Sequence, residues 1–171
     1  MKKLKRFTPL NMFKILCLLL LLPINALHAK PIKPLPIEIQ SDSALWDQKA
    51  QQAVHKGNVI MTQGEKTLRA DELIIEKNNA GDVEKLIAKG APATFDGLAA
   101  GSHPTPVTGH ADTILFFPSN ERLLLKGDAE LTQSQNIFKG PEVAFDFVSK
   151  QITAQSSASG RPTLIYQPQK M

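Results

Sequence analysis

Apolar and polar residues alternate with a period of two along most of the chain after residue 36. In "PIEIQS", Ile37 and Ile39 share one face and Glu38 takes the other; in "NVIMTQ", Val59 pairs with Met61. In "DAELTQ", Ala129 and Leu131 oppose Glu130 and Thr132, and "PEVAFDFVS" sets Val143, Phe145 and Phe147 against Asp146. Successive side chains of a strand point to opposite faces, so this alternation predicts strands with one buried side. Gly or Pro recurs at Gly57, Gly64, Gly81, Gly90, Pro92, Gly97, Gly127, Gly140 and Gly160, bounding intervals too short for most helices. "ADELIIEK" and "DVEKLIAK" also fit a helical period, through Leu73 with Glu76 and through Val83 with Leu86 and Ile87. Each is about two helical turns, a marginal length, so the chain reads as all-β.

The pattern occurs twice. Residues 42–76 aligned with residues 112–146 at a constant offset of 70 give the identities Asp42/Asp112, Leu45/Leu115, Lys56/Lys126, Gly57/Gly127, Thr62/Thr132, Gln63/Gln133 and Glu72/Glu142. Between them the apolar positions are exchanged like for like: Trp46/Phe116, Val54/Leu124, Met61/Leu131, Leu68/Phe138, Leu73/Val143 and Ile75/Phe145. The inward stripe is kept while the outward residues drift. Strand units stacked in this way bury one continuous apolar interior.

The amino end follows another rule. A basic leader, an apolar run from Ile15 to Leu22, Pro23 and a small-residue exit at Ala29 have the layout of a secretory signal peptide. The run is shorter than the roughly 20 residues that span a bilayer, and Cys17 follows Leu16 rather than the small residue of a lipid-anchor site. Residues 1–29 therefore read as a cleaved signal, residues 30–36 as a proline-rich extended tether, residues 37–167 as the ordered domain and 168–171 as a tail. Cleavage near Ala29 changes the charge. The leader takes five of the 20 basic residues and no acidic one, which leaves 15 against 16. The high pI of the precursor belongs to the leader, and without a clustered basic surface nucleic acid is discarded as a partner. The only cysteine also leaves, so neither a disulfide nor a thiol nucleophile remains.

Chemistry is sparse in what is left. His103 and His110 stand seven apart in a Pro/Gly stretch expected to be an exposed loop, a spacing that matches no common zinc motif. Asp42, Asp71 and Asp112 recur at equivalent places, expected to be strand starts where a carboxylate accepts from local backbone donors. The serines of "QSSASG" lack a nucleophile elbow and read as a turn. No enzyme, metal or cofactor is called for.

The segments "PIEIQSD", "KGNVIMTQG", "RADELIIE", "GAPATF", "GHAD" and "LKGDAELTQ", in this order, resemble the LptA (OstA-like) family of lipopolysaccharide transport. The resemblance covers roughly residues 36–167, and "GNVIMTQG" followed by "RAD" is its most specific part; the Pro-rich "GSHPTPVTG" is a departure. It implies a single twisted, slightly open β-jelly roll built from repeated antiparallel units, whose groove holds the acyl chains of lipid A. It implies a periplasmic location, an inner-membrane LptC-like partner, an outer-membrane LptD-like translocon, and head-to-tail homo-oligomers joined by edge strands. It tilts Ile37, Ile39, Phe95 and Phe116 toward lipid contact, with Met61 and Leu131 as further candidates because flexible side chains suit a variable acyl surface. From the pattern alone each of these six could equally be plain core. If they line a groove, charge at Ile39 or Phe116 removes lipid binding and spares the fold. A ligand-free adaptor that joins partners through its edge strands is the alternative reading.

Overall fold

Ten strands and no helix make up the residues that the computed structural model describes, 35–99, 103–158 and 160–168. The leader over 1–29, the tether up to Pro34, and the last three residues of the tail lie outside them. The chain's contacts separate Met1–Pro34 from Leu35–Met171, and all ten strands belong to the second unit. In chain order the strands are β1 (Glu38–Gln40), β2 (Ser43–Asp47), β3 (Gln52–Gln63), β4 (Lys66–Lys77), β5 (Val83–Ala99), β6 (Thr105–Phe117), β7 (Arg122–Gln133), β8 (Asn136–Asp146), β9 (Gln151–Gln155) and β10 (Thr163–Ile165). Strands β3 to β8 form one antiparallel meander. Its first edge is covered by β1 and β2 end to end along β3, and its last by β9 and β10 end to end along β8. "ADELIIEK" and "DVEKLIAK" lie in β4 and β5, so strand pairing overrides their local helical period.

Gly64, Gly81 and Gly160 lie between strands as expected, but Gly57, Gly90, Pro92, Gly97, Gly127 and Gly140 fall inside them. Pairing slips between Lys56 and Val59 on β3, between Arg69 and Glu72 on β4, between Lys89 and Ala93 on β5, between His110 and Thr113 on β6, and between Lys126 and Ala129 on β7. Long strands run through these points, and the slips line up across the sheet as one transverse corner, since each bulge bends its strand. The sheet thereby folds into two layers. Phe116 pairs with Leu86, nine residues before Phe95 on β5, a separation of about 30 Å on a flat sheet. The two rings nonetheless lie 6.4 Å apart between centroids, and Phe147 lies 5.7 Å from Phe95. The first layer holds β1, residues 59–63, 66–70, 93–99, 105–111, 129–133 and 136–140, and β10; the second holds the other half of each long strand with β2 and β9. This is an all-β, slightly open jelly roll, the class expected.

Backbone geometry repeats with the sequence. Positive φ occurs at Gln51 and Glu121, at Gly57 and Gly127, at Asn58 and Asp128, and at Gly64 and Ser134, each pair 70 apart. The shared Asp and Gly mark the corner: a Cβ on Gly57 would overlap the Asp42 side chain, and one on Gly127 that of Asp112. Asp42 is tied there through its own N–H to the Gly57 carbonyl (3.0 Å) and accepts from Asn58 Nδ2 at 2.9 Å. Asp112 and Asp71 thus lie inside strands at the corner, not at strand starts. The backbone-accepting role assigned to them belongs to Asp47, Asn78 and Asp146 in the hairpin turns. The shared Lys and Glu form cross-strand ion pairs, Lys56–Glu72 at 3.2 Å and Lys126–Glu142 at 3.3 Å.

Candidate functional site

The register sets the interior out in rows that cross every strand. In the first layer one row reads Ile39, Met61, Leu68, Phe95, Gly109, Leu131, Phe138 and Leu164, each directly opposite the next. In the second layer a row reads Trp46, Ala53, Ile75, Leu86, Phe116, Leu123, Phe145 and Ile152. Seven strand spacings of about 4.8 Å make each row roughly 34 Å long. Gly109 leaves a gap that Leu125 of the second layer fills, because a Cβ there would come within 2.8 Å of its Cδ2. Among the described residues no buried position is polar or charged. Such an interior offers dispersion contacts and no hydrogen-bonding groups, so it suits hydrocarbon alone.

The structure brings the candidate residues together on these rows. Ile39, Met61, Phe95 and Leu131 share the first, Phe116 faces Phe95 from the second, and Ile37 packs on the core just ahead of β1. They are not equally placed. Met61, Phe116 and Leu131 are 0% exposed and Phe95 1%, whereas Ile37 and Ile39 are half-buried at the open edge. Phe116 and its neighbours are closed core in this state, which reverses the expectation that charge at Phe116 spares the fold.

Three inward residues at the ends were not singled out from sequence. Trp46 is 46% exposed on β2 and Leu164 57% exposed on β10, while Ile152 is half-buried on β9. The 70-residue offset carries a signal for Trp46, which stands where Phe116 stands in the second half. Leu164 falls in "TLIY" before Pro168, which reads as a short last strand, but that Leu164 faces inward shows only in its register opposite Phe138. Lys77 Nζ lies 4.7 Å from the Trp46 ring centroid, shielding one face of it.

The outer face is polar. Glu72 lies between Lys56 and Lys89, whose ammoniums, 3.2 and 3.3 Å away, hold its carboxyl below the usual value. His110 is on strand β6, not in a loop; its Nε2 lies 4.0 Å from Glu130, which pairs with Lys139 at 2.7 Å. His103 is exposed in the preceding turn, and His55 Nδ1 lies 3.0 Å from Ser41 Oγ, so the three histidines do not converge.

Comparison with known proteins agrees with this geometry. The family model described as "LptA/(LptD N-terminal domain) LPS transport protein" matches residues 38–151. The lipopolysaccharide export system protein LptH of Pseudomonas aeruginosa is 29% identical over 143 residues, 79% of this chain and 81% of that protein. LptA of Escherichia coli K12 is 28% identical over 137 residues, 80% of this chain and 73% of that protein. The crystal structure of LptH, described as the LptA-homologous periplasmic component of the lipopolysaccharide transport device, superposes with a TM-score of 0.71 at 26% identity. It matches 78% of this chain and 96% of that one.

Proposed function

The chain belongs to the LptA/(LptD N-terminal domain) family of lipopolysaccharide transport proteins, and on that premise we propose that it carries lipopolysaccharide across the periplasm. The leader over residues 1–29 exports it and is removed near Ala29. The roll shields lipid A acyl chains from water between its two layers, where Ile37, Ile39, Met61, Phe95, Phe116 and Leu131 line the path. Its two edges pair backbone to backbone with an LptC-like protein on the inner-membrane side, an LptD-like translocon on the outer-membrane side, and copies of itself. The observation that carries this reading is the pair of apolar rows running from edge to edge and ending on partly exposed Trp46 and Leu164. Each methylene that leaves water gains about 0.8 kcal/mol, so a few chains are held without covalent chemistry.

Native mass spectrometry of protein recovered from the periplasm tests it, with bound lipopolysaccharide and a ladder of oligomers as the expected result. Lipid-free protein that still assembles sinks the carrier and leaves the adaptor. That second reading draws on the filled interior, whose central side chains are 0–2% exposed with the layers closed. Acyl chains enter only if the layers part.

A further inference from the structure

One cation ties the layers together opposite the corner. Lys66, at the start of β4 in the first layer, reaches the second layer and pairs with Glu121 Oε2 at 3.4 Å. Every other described ion pair joins residues on neighbouring strands. Its ammonium also lies 5.7 Å from the Phe116 ring centroid and 5.0 Å from that of Phe147, both among the most buried rings of the interior. The Lys66 side chain is 15% exposed, the lowest of any ion-paired lysine, while Glu121 is 47% exposed. Its stem lies over Gly97, where a Cβ would stand 3.5 Å from Lys66 Cγ. The charge therefore sits at the lip of the apolar interior, with a half-solvated carboxylate on its outer side. At the equivalent place in the second half, 70 residues on, stands neutral Asn136, so this charged bridge is not duplicated.

We propose that Lys66 is the phosphate-binding residue for an anionic lipid whose acyl chains occupy the interior, and that Glu121 holds its place when the roll is empty. The inference rests on the carrier reading. Parting the layers to admit chains separates Lys66 from Glu121 and leaves an ammonium beside the rings that the chains contact. Such a charge, taken partly out of water, requires a new anion, and a phosphate at the head of the same lipid lies where the chains leave the slot. A lysine serves here as a point charge that tolerates several headgroup orientations, which a bidentate arginine fork does not.

The test measures binding of diphosphoryl lipid A and of the same lipid after phosphatase treatment, in detergent, to protein from the periplasm. The parent should prefer the diphosphoryl form. Lys66→Met, which keeps an apolar stem, should lose about tenfold in affinity for that form, the scale of one charge-assisted contact, and bind both forms alike. Glu121→Gln, which frees the lysine at an exposed partner, should bind the diphosphoryl form more tightly and the other unchanged. A parent that binds neither lipid overturns the carrier reading and this inference with it. A parent that binds both, with its phosphate preference intact in Lys66→Met, overturns the inference alone. If Lys66→Met does not fold, Glu121→Gln decides, and no gain in that variant overturns the inference. Inorganic phosphate alone should not bind; saturable binding that Lys66→Met abolishes would make this a free-anion site and overturn the lipid role.

Discussion

Replacing Gly57 with alanine puts the corner of the sheet to a quantitative test. The residue has φ of +77°, so an alanine there incurs about 1–2 kcal/mol of left-handed strain. The new Cβ also overlaps the Asp42 carboxylate, and rotation of that side chain does not clear it, because Asp42 Cβ itself lies 3.0 Å away. Displacing Asp42 forfeits its 2.9 Å bond from Asn58, worth about 0.5–1.5 kcal/mol. The sum is about 1.5–3.5 kcal/mol, or roughly 6–14 °C in Tm at about 4 °C per kcal/mol for a domain of this size. Gly81 supplies the control. Its φ is +88° but nothing lies within 4 Å of an added Cβ, so Gly81→Ala should show the strain alone, about 1–2 kcal/mol. Adding Asp42→Ala to Gly57→Ala should cost little more than Gly57→Ala alone, because the bond from Asn58 is already lost in the single variant. Urea unfolding followed by circular dichroism, with a common slope, reads all three. Equal losses at Gly57 and Gly81 would refute the claim that Asp42 and Gly57 are packed against each other at the bend.

Phe116→Asp should fail to fold, since losing a buried phenyl at about 3–5 kcal/mol and burying a charge together rival the whole stability of a domain; Ile39→Asp, half-buried at an edge, should keep the β spectrum and lose lipid. A folded Phe116→Asp protein, seen by circular dichroism, would mean that the second-layer row is open to water. The carboxyl of Glu72 is held low by Lys56 and Lys89, and that of Asp146 by the Ser149 N–H first and then by the Ser149 hydroxyl and Val148 N–H. A depressed folded-state value adds stability that is fully present above the unfolded value, near 4, and is lost as pH falls through the folded one. Acid titration should therefore cost the parent more stability below about pH 4 than the Glu72→Gln, Asp146→Asn double variant, and identical acid slopes would contradict these assignments. Light scattering should show mass rising with concentration. A strict monomer at every concentration would count against pairing at β1 and β10.

The strands, their inward residues and the duplication were legible because alternation and spacing are local. Val59 with Met61, and Val143 with Phe145 and Phe147, face inward as their pattern requires. What escaped depends on residues far apart in sequence. Gly57, Pro92 and Gly127 look like strand ends, and only their alignment across neighbouring strands makes them one corner. His110 reads as a loop residue beside Pro and Gly, yet pairing with Thr94 and Glu130 holds it in a strand. The same limit applies to the candidate site. Alternation puts Phe116 and Ile39 on the inner face alike, and it cannot say that one is sealed between layers while the other sits at an edge. Lys66 gave no signal, because its rings and its carboxylate come from β6, the β6–β7 turn and the end of β8.

The duplication makes the middle of the molecule a specimen of its own joint. Strand β5 closes the first half and β6 opens the second, where Phe95 lies opposite Gly109 and Leu86 opposite Phe116. At the outer edges Leu164 holds the place of Phe95 against Phe138, as Phe95 does against Leu68, and Ile152 holds that of Leu86. Ile39 and Trp46 hold the places of Gly109 and Phe116. A second copy set end-on in the manner of that central seam would bring Leu164 opposite Ile39 and Ile152 opposite Trp46, closing the apolar residues left open at both ends. A filament joined this way would have a structural period of half a molecule, and hydrocarbon moving through it would meet no step where one chain stops and the next begins.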